Sequence, residues 1–454
     1  MLGGAMIDPA ATLFTTSEMT ALFSAEEHVR GMLAFEAALA RAQTRAGIIP
    51  SAAADAIARA CRIEAFNVTE LYHKAALAGT PAIPLVRMLT ALVDEDARRY
   101  VHWGATSQDV IDTALVLQMR HGLALLIQRL LSVGEACATH AERHRRTPMA
   151  GRTLLQQAAP INFGLKAARW LGLVTRQIQR LQEVRDRISV IQFGGAVGTL
   201  AALGDDGERV AELLAEELGL AVPDLPWHAE RDRIAEMGAA LAVTAGSMGK
   251  IANDIVLLAQ TEVGEVAEAA APGKGGSSAL PHKQNPVDAM FALAAAKLAV
   301  GIAPTLLATM LQEHERSVGS WQAEWSAIPA LFGHTSSTIE HVQNAVSGLV
   351  INSERMRANL DQSHGLIMSE ALSTALAATI GRAEAQRIVT AAAERAGATD
   401  ATLHQIALGD PAIRTVLSES GIEQALDPAG YLGITDTLID RALAGFRAMS
   451  QKPQ

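Results

Sequence analysis

Four long stretches without proline constrain this chain more than any other feature. They are residues 85–147, 161–222, 227–271 and 330–410. Proline removes a backbone donor and breaks helix interiors, so these gaps have room for very long helices. Within them apolar residues recur at helical spacing, as in Ile234, Met237, Leu241, Met248, Ile251, Ile255 and Leu258. No sustained alternation marks a sheet. Helical throughout, residues 227–271 would span roughly 65 Å at about 1.5 Å per residue. Rods of that length bury themselves only against similar rods. The sequence therefore predicts an elongated central bundle over 109–352, with smaller helical regions over 1–108 and 353–454.

Local signals place some helix ends. Ser24 and Glu27 fit a capping box, and Gly47 followed by Pro50 fits the stop of the same helix. Ser353 fits the N-cap of the last region. Aromatics are only 4% of the chain, so the core is expected to form by close helix packing. A formal charge of -10 argues against a nucleic-acid partner. It leaves room for an anionic small substrate, because a few local cations reverse the field in a cleft. Cys61 and Cys137 are too few for a disulfide framework, and no signal peptide is evident, so a reducing, cytoplasmic setting is expected. The apolar run over 287–311 carries Asp288, Lys297 and Pro304, and reads as a buried bundle helix rather than a membrane span.

"GKGGSSALPHKQNP", residues 273–286, interrupts the helices. Its glycines free the backbone to approach a ligand and to expose N–H groups. Its serines suit a nucleophile, a proton-transfer group or a plain turn. Lys283 offers a cation to a carboxylate, and Asn285 before Pro286 fits an N-cap. The stretch lacks the P-loop pattern, and "FGGAVG" lacks the dinucleotide fingerprint. Arg152 and Arg316 are candidate carboxylate anchors, with surface pairing as the competing use. His102 is either a ligand or a satisfied structural histidine. Thr106 and Ser107 equally suit helix capping. His140 and His144 lack the zincin pattern and read as a solvated face, so no metal is expected.

"GSSALPHKQNP" resembles the signature loop of the fumarase/aspartase superfamily, with Leu280 where methionine is usual. "HWGATSQD" (102–109) and "GRTLLQQAAPINFG" (151–164) resemble two further shared regions, in the same order. Within the superfamily, "YVHWGATSQDVIDTALVLQMR", "IQFGGAVGTLAALGDDG" and "PWHAERDRIAEM" are similar to the carboxymuconate cycloisomerase branch. The resemblance implies an all-α, three-domain subunit. It also implies a homotetramer whose sites are shared between chains, a small polycarboxylate substrate and no cofactor.

It implies roles as well. Ser277 matches the proton-transfer serine. Lys283 and Asn285 match residues that hold the activated carboxylate, whose aci-form needs fixed positive charge and donors. Thr106 and Ser107 match hydroxyl donors, and Thr153 and Gln156 match polar contacts of the second region. Leu154 departs from the pattern, since many of these lyases carry histidine there. An amine must be protonated to leave, whereas a lactone's carboxylate, with a pKa near about 4, need not be. Lactonisation is therefore the implied reaction. Fumarate release from a succinyl adduct such as adenylosuccinate is the alternative. An inert structural relative is a third reading, against which the retained Ser277, Lys283 and Asn285 argue.

Overall fold

A computed structural model describes residues 11–451, and nearly all of the regular structure is helical. Three of the proline-free stretches hold long helices, Ser107–Arg143, Phe163–Ile188 and Asp232–Leu258, and Ser320–Ser347 and Val287–Ala308 are long as well. Ser24 caps the Ala25–Arg45 helix, accepting the Glu27 N–H at 3.2 Å.

Several expectations are corrected. Residues 227–271 are not one rod: the helix is Asp232–Leu258. Its end is closed by the Gly264 N–H on the Gln260 carbonyl and the Glu265 N–H on the Leu258 carbonyl, with Gly264 at positive φ. Pro304 and Pro329 lie inside helices, so proline does not mark every break. The cap of the Ser353–Asp361 helix is Asn352, which accepts from the Arg355 N–H. Strands do occur. Pro148–Thr153 pairs antiparallel with Gln156–Asn162, with a register shift at Ala150/Gly151, and Val266–Ala267 pairs with Val350–Ile351.

The chain divides into two compact units. The first holds residues 11–129, 177–248 and 294–340 of the described chain. Its core joins Phe35 to Phe193 at 6.4 Å between ring centroids and Phe23 to Phe332 at 4.9 Å. Within it Arg231 is fully buried between Asp112 (2.7 Å) and Glu324 (2.5 Å), and stacks over Trp227 at 4.8 Å. The Trp321 indole N–H also donates to Asp112, at 2.9 Å. Burial works against the guanidinium charge, but the two carboxylates outweigh it and raise its pKa.

The second unit holds residues 130–176, 249–293 and 341–451 of the described chain. His140 and His144 are not a solvated face. His140 is buried, its Nε2 lies 2.9 Å from the Val346 carbonyl, and both rings pack edge-on against Phe163. Gly134 leaves room for Phe446, since a Cβ there would fall 2.3 Å from the ring. A separate cluster of Leu372, Leu376, Val389, Leu403, Ile413 and Ile422 closes the C-terminal helices.

Removing one member of a buried ion network strands the others, typically at about 3–5 kcal/mol. Arg231→Met should therefore lower the free energy of unfolding by an amount of that order, measured by urea unfolding followed by circular dichroism. A loss under about 1 kcal/mol would show that the two carboxylates are accommodated without it.

Candidate active site

In the first unit the site begins at the bend before the Ser107–Arg143 helix. His102 and Gly104 both take positive φ there, and Trp103 is half exposed. The His102 Nδ1 donates to the buried Glu36 carboxylate at 2.5 Å. Burial opposes charge on His102, but Glu36, with Asp109 behind it, raises the ring's pKa. Asp109 sits two residues after Ser107 and is completely buried. Its carboxylate accepts the Thr106 N–H (3.0 Å), the Gly194 N–H (3.0 Å), the Gly195 N–H (2.9 Å) and the His228 Nε2 (2.8 Å). One side chain thus ties the helix start to the "FGGAVG" turn.

Arg316 donates to the Ala196 carbonyl of that turn at 3.0 Å, while its Nε is buried without a partner. The structure therefore brings His102, Thr106, Ser107 and Arg316 to one region. Thr106 occupies a capping position, but its contact to Asp109 is through the backbone. Neither its hydroxyl nor that of Ser107 has a hydrogen-bond partner among the described residues, and both residues are partly exposed.

In the second unit Thr153 and Gln156 face each other across a two-residue turn. The turn residues, Leu154 and Leu155, both have positive φ and are 96% and 74% exposed. Arg152 is not a free anchor. Its guanidinium grips the buried Glu265 in a fork, at 2.9 and 2.7 Å, and Asn359 donates to the same carboxylate at 2.8 Å. The guanidinium it was expected to offer a ligand's carboxylate is taken up by the protein's own Glu265.

The glycine-rich loop has a clamped neck and an open tip. The Asn285 N–H and side-chain amide both donate to the Gly275 carbonyl, at 2.8 and 3.1 Å. Asn285 does not cap the Val287–Ala308 helix by its side chain. Glu268 does so from outside, accepting the N–H groups of Asp288 (3.2 Å) and Ala289 (2.8 Å). Lys274 bridges Glu268 (3.1 Å) and Asp288 (2.5 Å), and His341 donates to Asp288 at 2.9 Å. Burial disfavours the Lys274 charge, yet its two carboxylate partners raise its pKa. Sequence reasoning missed this clamp, although Lys274 lies inside the quoted loop.

Beyond the neck, Ser277 Oγ accepts the N–H groups of Ala279 (3.3 Å) and Leu280 (3.1 Å). Two donors on one hydroxyl oxygen favour its ionised form. Lys283 is exposed and has no ion-pair partner among the described residues. No cluster of three metal-binding side chains occurs among the described residues.

Residues 8–301 match the model described as "Lyase", and 365–442 match "Adenylosuccinate lyase C-terminus". The chain belongs to the lyase family. Its relatives include enzymes of more than one reaction. It is 47% identical to the 3-carboxy-cis,cis-muconate cycloisomerase of Pseudomonas aeruginosa, over 97% of this chain and 96% of that protein. It is 41% identical to the nitrosuccinate lyase of Streptomyces davaonensis, over 91% and 90%. The crystal structure of the 3-carboxy-cis,cis-muconate lactonizing enzyme from Pseudomonas putida matches with a TM-score of 0.92 and 42% identity, covering 98% of this chain and 100% of that one.

Two predictions follow from the geometry of this lyase. Lys274→Met should speed amide exchange across 276–284 while leaving the helices protected, and Lys274→Arg should restore protection. Unchanged exchange in Lys274→Met would show that Asn285 alone holds the neck.

The second concerns His102, whose pKa is raised in the folded chain. The stability it contributes is fully present below its unfolded pKa, about 6.5, and is lost as pH rises through the higher folded value. Glu36→Gln removes the larger raising charge and leaves burial and Asp109, so the His102 ring should titrate lower than in the unaltered protein. Ring NMR shifts against pH measure this, and an unmoved midpoint would deny Glu36 that role.

Proposed function

We propose that this lyase closes 3-carboxy-cis,cis-muconate to γ-carboxymuconolactone. The observation that carries the reading is Ser277 Oγ under two backbone N–H donors, on a chain 47% identical to a cycloisomerase of that substrate. In the proposed reaction a substrate carboxylate oxygen bonds to one alkene carbon. The displaced electron pair moves toward the adjacent carboxyl as an aci-carboxylate, and the Ser277 hydroxyl gives its proton to the carbon. The resulting alkoxide is stabilised by the Ala279 and Leu280 N–H groups and regains its proton from solvent. The step takes up one proton from solvent as the carboxylate oxygen becomes the lactone oxygen, and needs no other co-reactant. Lys283 supplies positive charge to the aci-carboxylate, and the hydroxyls of Thr106 and Ser107, with Thr153 and Gln156, receive the other carboxyl groups.

Leu154 favours this reaction over amine elimination, because it offers no proton to a leaving group. We further propose a cytoplasmic homotetramer with sites shared between chains, each chain divided at 108/109 and 352/353. Support comes from large apolar side chains left exposed on two helices of the first unit, Val243, Leu298, Val300 and Leu307, and from the apolar Leu154–Leu155 tip. Both cysteines are free, which suits a reducing compartment.

Purified protein should bleach the diene absorbance of carboxymuconate and leave adenylosuccinate and argininosuccinate intact under the same conditions. Ser277→Ala should cut kcat by about 10²–10⁴-fold with helicity unchanged, the usual worth of a positioned proton donor. Efficient fumarate release from either succinyl adduct would overturn the cycloisomerase reading, and near-normal turnover by Ser277→Ala would remove that serine from the chemistry.

A further inference from the structure

The first unit contains a cavity of about 520 Å³ that none of the candidate catalytic residues lines. That size lies within the range of about 300–1,000 Å³ common to small-molecule sites. It is walled by the Ser24–His28 segment, Tyr72 to Pro81, the Ile111–Gln118 face of the Ser107–Arg143 helix, and Trp325 with Pro329. Three of its 15 lining residues, Phe23, Tyr72 and Trp325, are aromatic, in a chain that is only 4% aromatic. No lysine, arginine, aspartate or glutamate lines it.

The two titratable residues in the wall carry no charge at neutral pH. His28 Nδ1 and the Tyr72 hydroxyl lie 2.9 Å apart. Burial pushes His28 down to about 4, with the Ile111 carbonyl and Asp112 opposing it only in part, and pushes Tyr72 up to about 12. A carboxylate entering here would lose its hydration and find no cation, which costs several kcal/mol or more. Three polar atoms of the wall are nevertheless buried without a hydrogen-bond partner, His28 Nε2, Thr80 Oγ1 and Trp325 Nε1, and the last two are donors. Unmet buried donors are costly, and an acceptor brought in by a ligand is what the set lacks.

We propose that this cavity binds an uncharged, single-ring aromatic molecule bearing a hydrogen-bond acceptor, at a site separate from the residues that receive carboxylates. The aromatic walls match the ring, Thr80 and Trp325 meet the acceptor, and the absence of cations excludes polycarboxylates. The inference goes beyond lactonisation, and its binding tests stand whatever the reaction proves to be.

The probe is phenol, with benzoate and toluene as comparisons, titrated into the full-length protein at pH 7 and followed by calorimetry and tryptophan emission. Phenol should saturate one site per chain, and its emission change should vanish in Trp325→Phe. Benzoate and toluene should each bind at least about tenfold more weakly, through the missing cation and the missing acceptor respectively. Ala76→Phe, at an exposed lining position, should weaken phenol at least about tenfold and leave turnover unchanged. Absence of saturable phenol binding, or benzoate binding as tightly as phenol, would overturn the proposal. Toluene equal to phenol would overturn the role of the two donors. Competitive displacement of phenol by carboxymuconate would overturn the separateness of the site.

Discussion

The Asp109 carboxylate is the interaction on which the rest of the first unit's site depends. It is completely buried and accepts from Thr106, Gly194, Gly195 and His228. A buried carboxylate without such donors would be strongly destabilising, and with them it fixes every group that meets it. Because Asp109 lies in the first turn of the Ser107–Arg143 helix, that helix, the "FGGAVG" turn and the His102–Thr106 bend share one reference point. Gly195 is required there, since it has positive φ and a Cβ would fall 3.0 Å from the Gly104 carbonyl. Arg316 then reads the same turn through Ala196.

The second unit handles its glycine-rich loop by a different division of labour. The neck is immobilised by Lys274, Glu268, Asp288 and Asn285, while the tip from Gly276 to Gln284 is largely exposed. A loop that must admit a substrate and then cover it needs such a hinge, because motion confined to the tip leaves the neck's geometry intact. Ser277 carries part of its own electrostatic environment, since the donors on its oxygen come from residues two and three positions further along the same loop. That local arrangement survives whatever larger motion the loop makes.

The long helices were legible because periodicity and the scarcity of proline act locally, and the Ser24 cap was legible for the same reason. The signature loop and the order of the three shared regions were legible as a resemblance. The hairpin was not, because its turn is Leu154–Leu155, without the glycine or asparagine that usually announces positive φ. Arg152 was read as available for a ligand. Its partner, Glu265, lies more than a hundred residues away, and nothing in the spacing of either residue discloses the pair. Asn285 looked like a cap, but the helix N–H groups are met by Glu268.

By itself, then, the sequence determined the helical class, the family and a set of candidate polar residues. Those follow from short-range steric rules and from ordered motifs, both of which can be read along the chain. Only the tertiary structure decided which of those residues are free to act. Arg152 is committed to Glu265, Asn285 to Gly275 and His102 to Glu36, while the Thr106 and Ser107 hydroxyls and Lys283 remain unpaired among the described residues. The reason is physical: a charge or donor becomes structural or functional according to what burial places within about 3 Å of it, and that neighbour is fixed by packing, not by its distance along the chain.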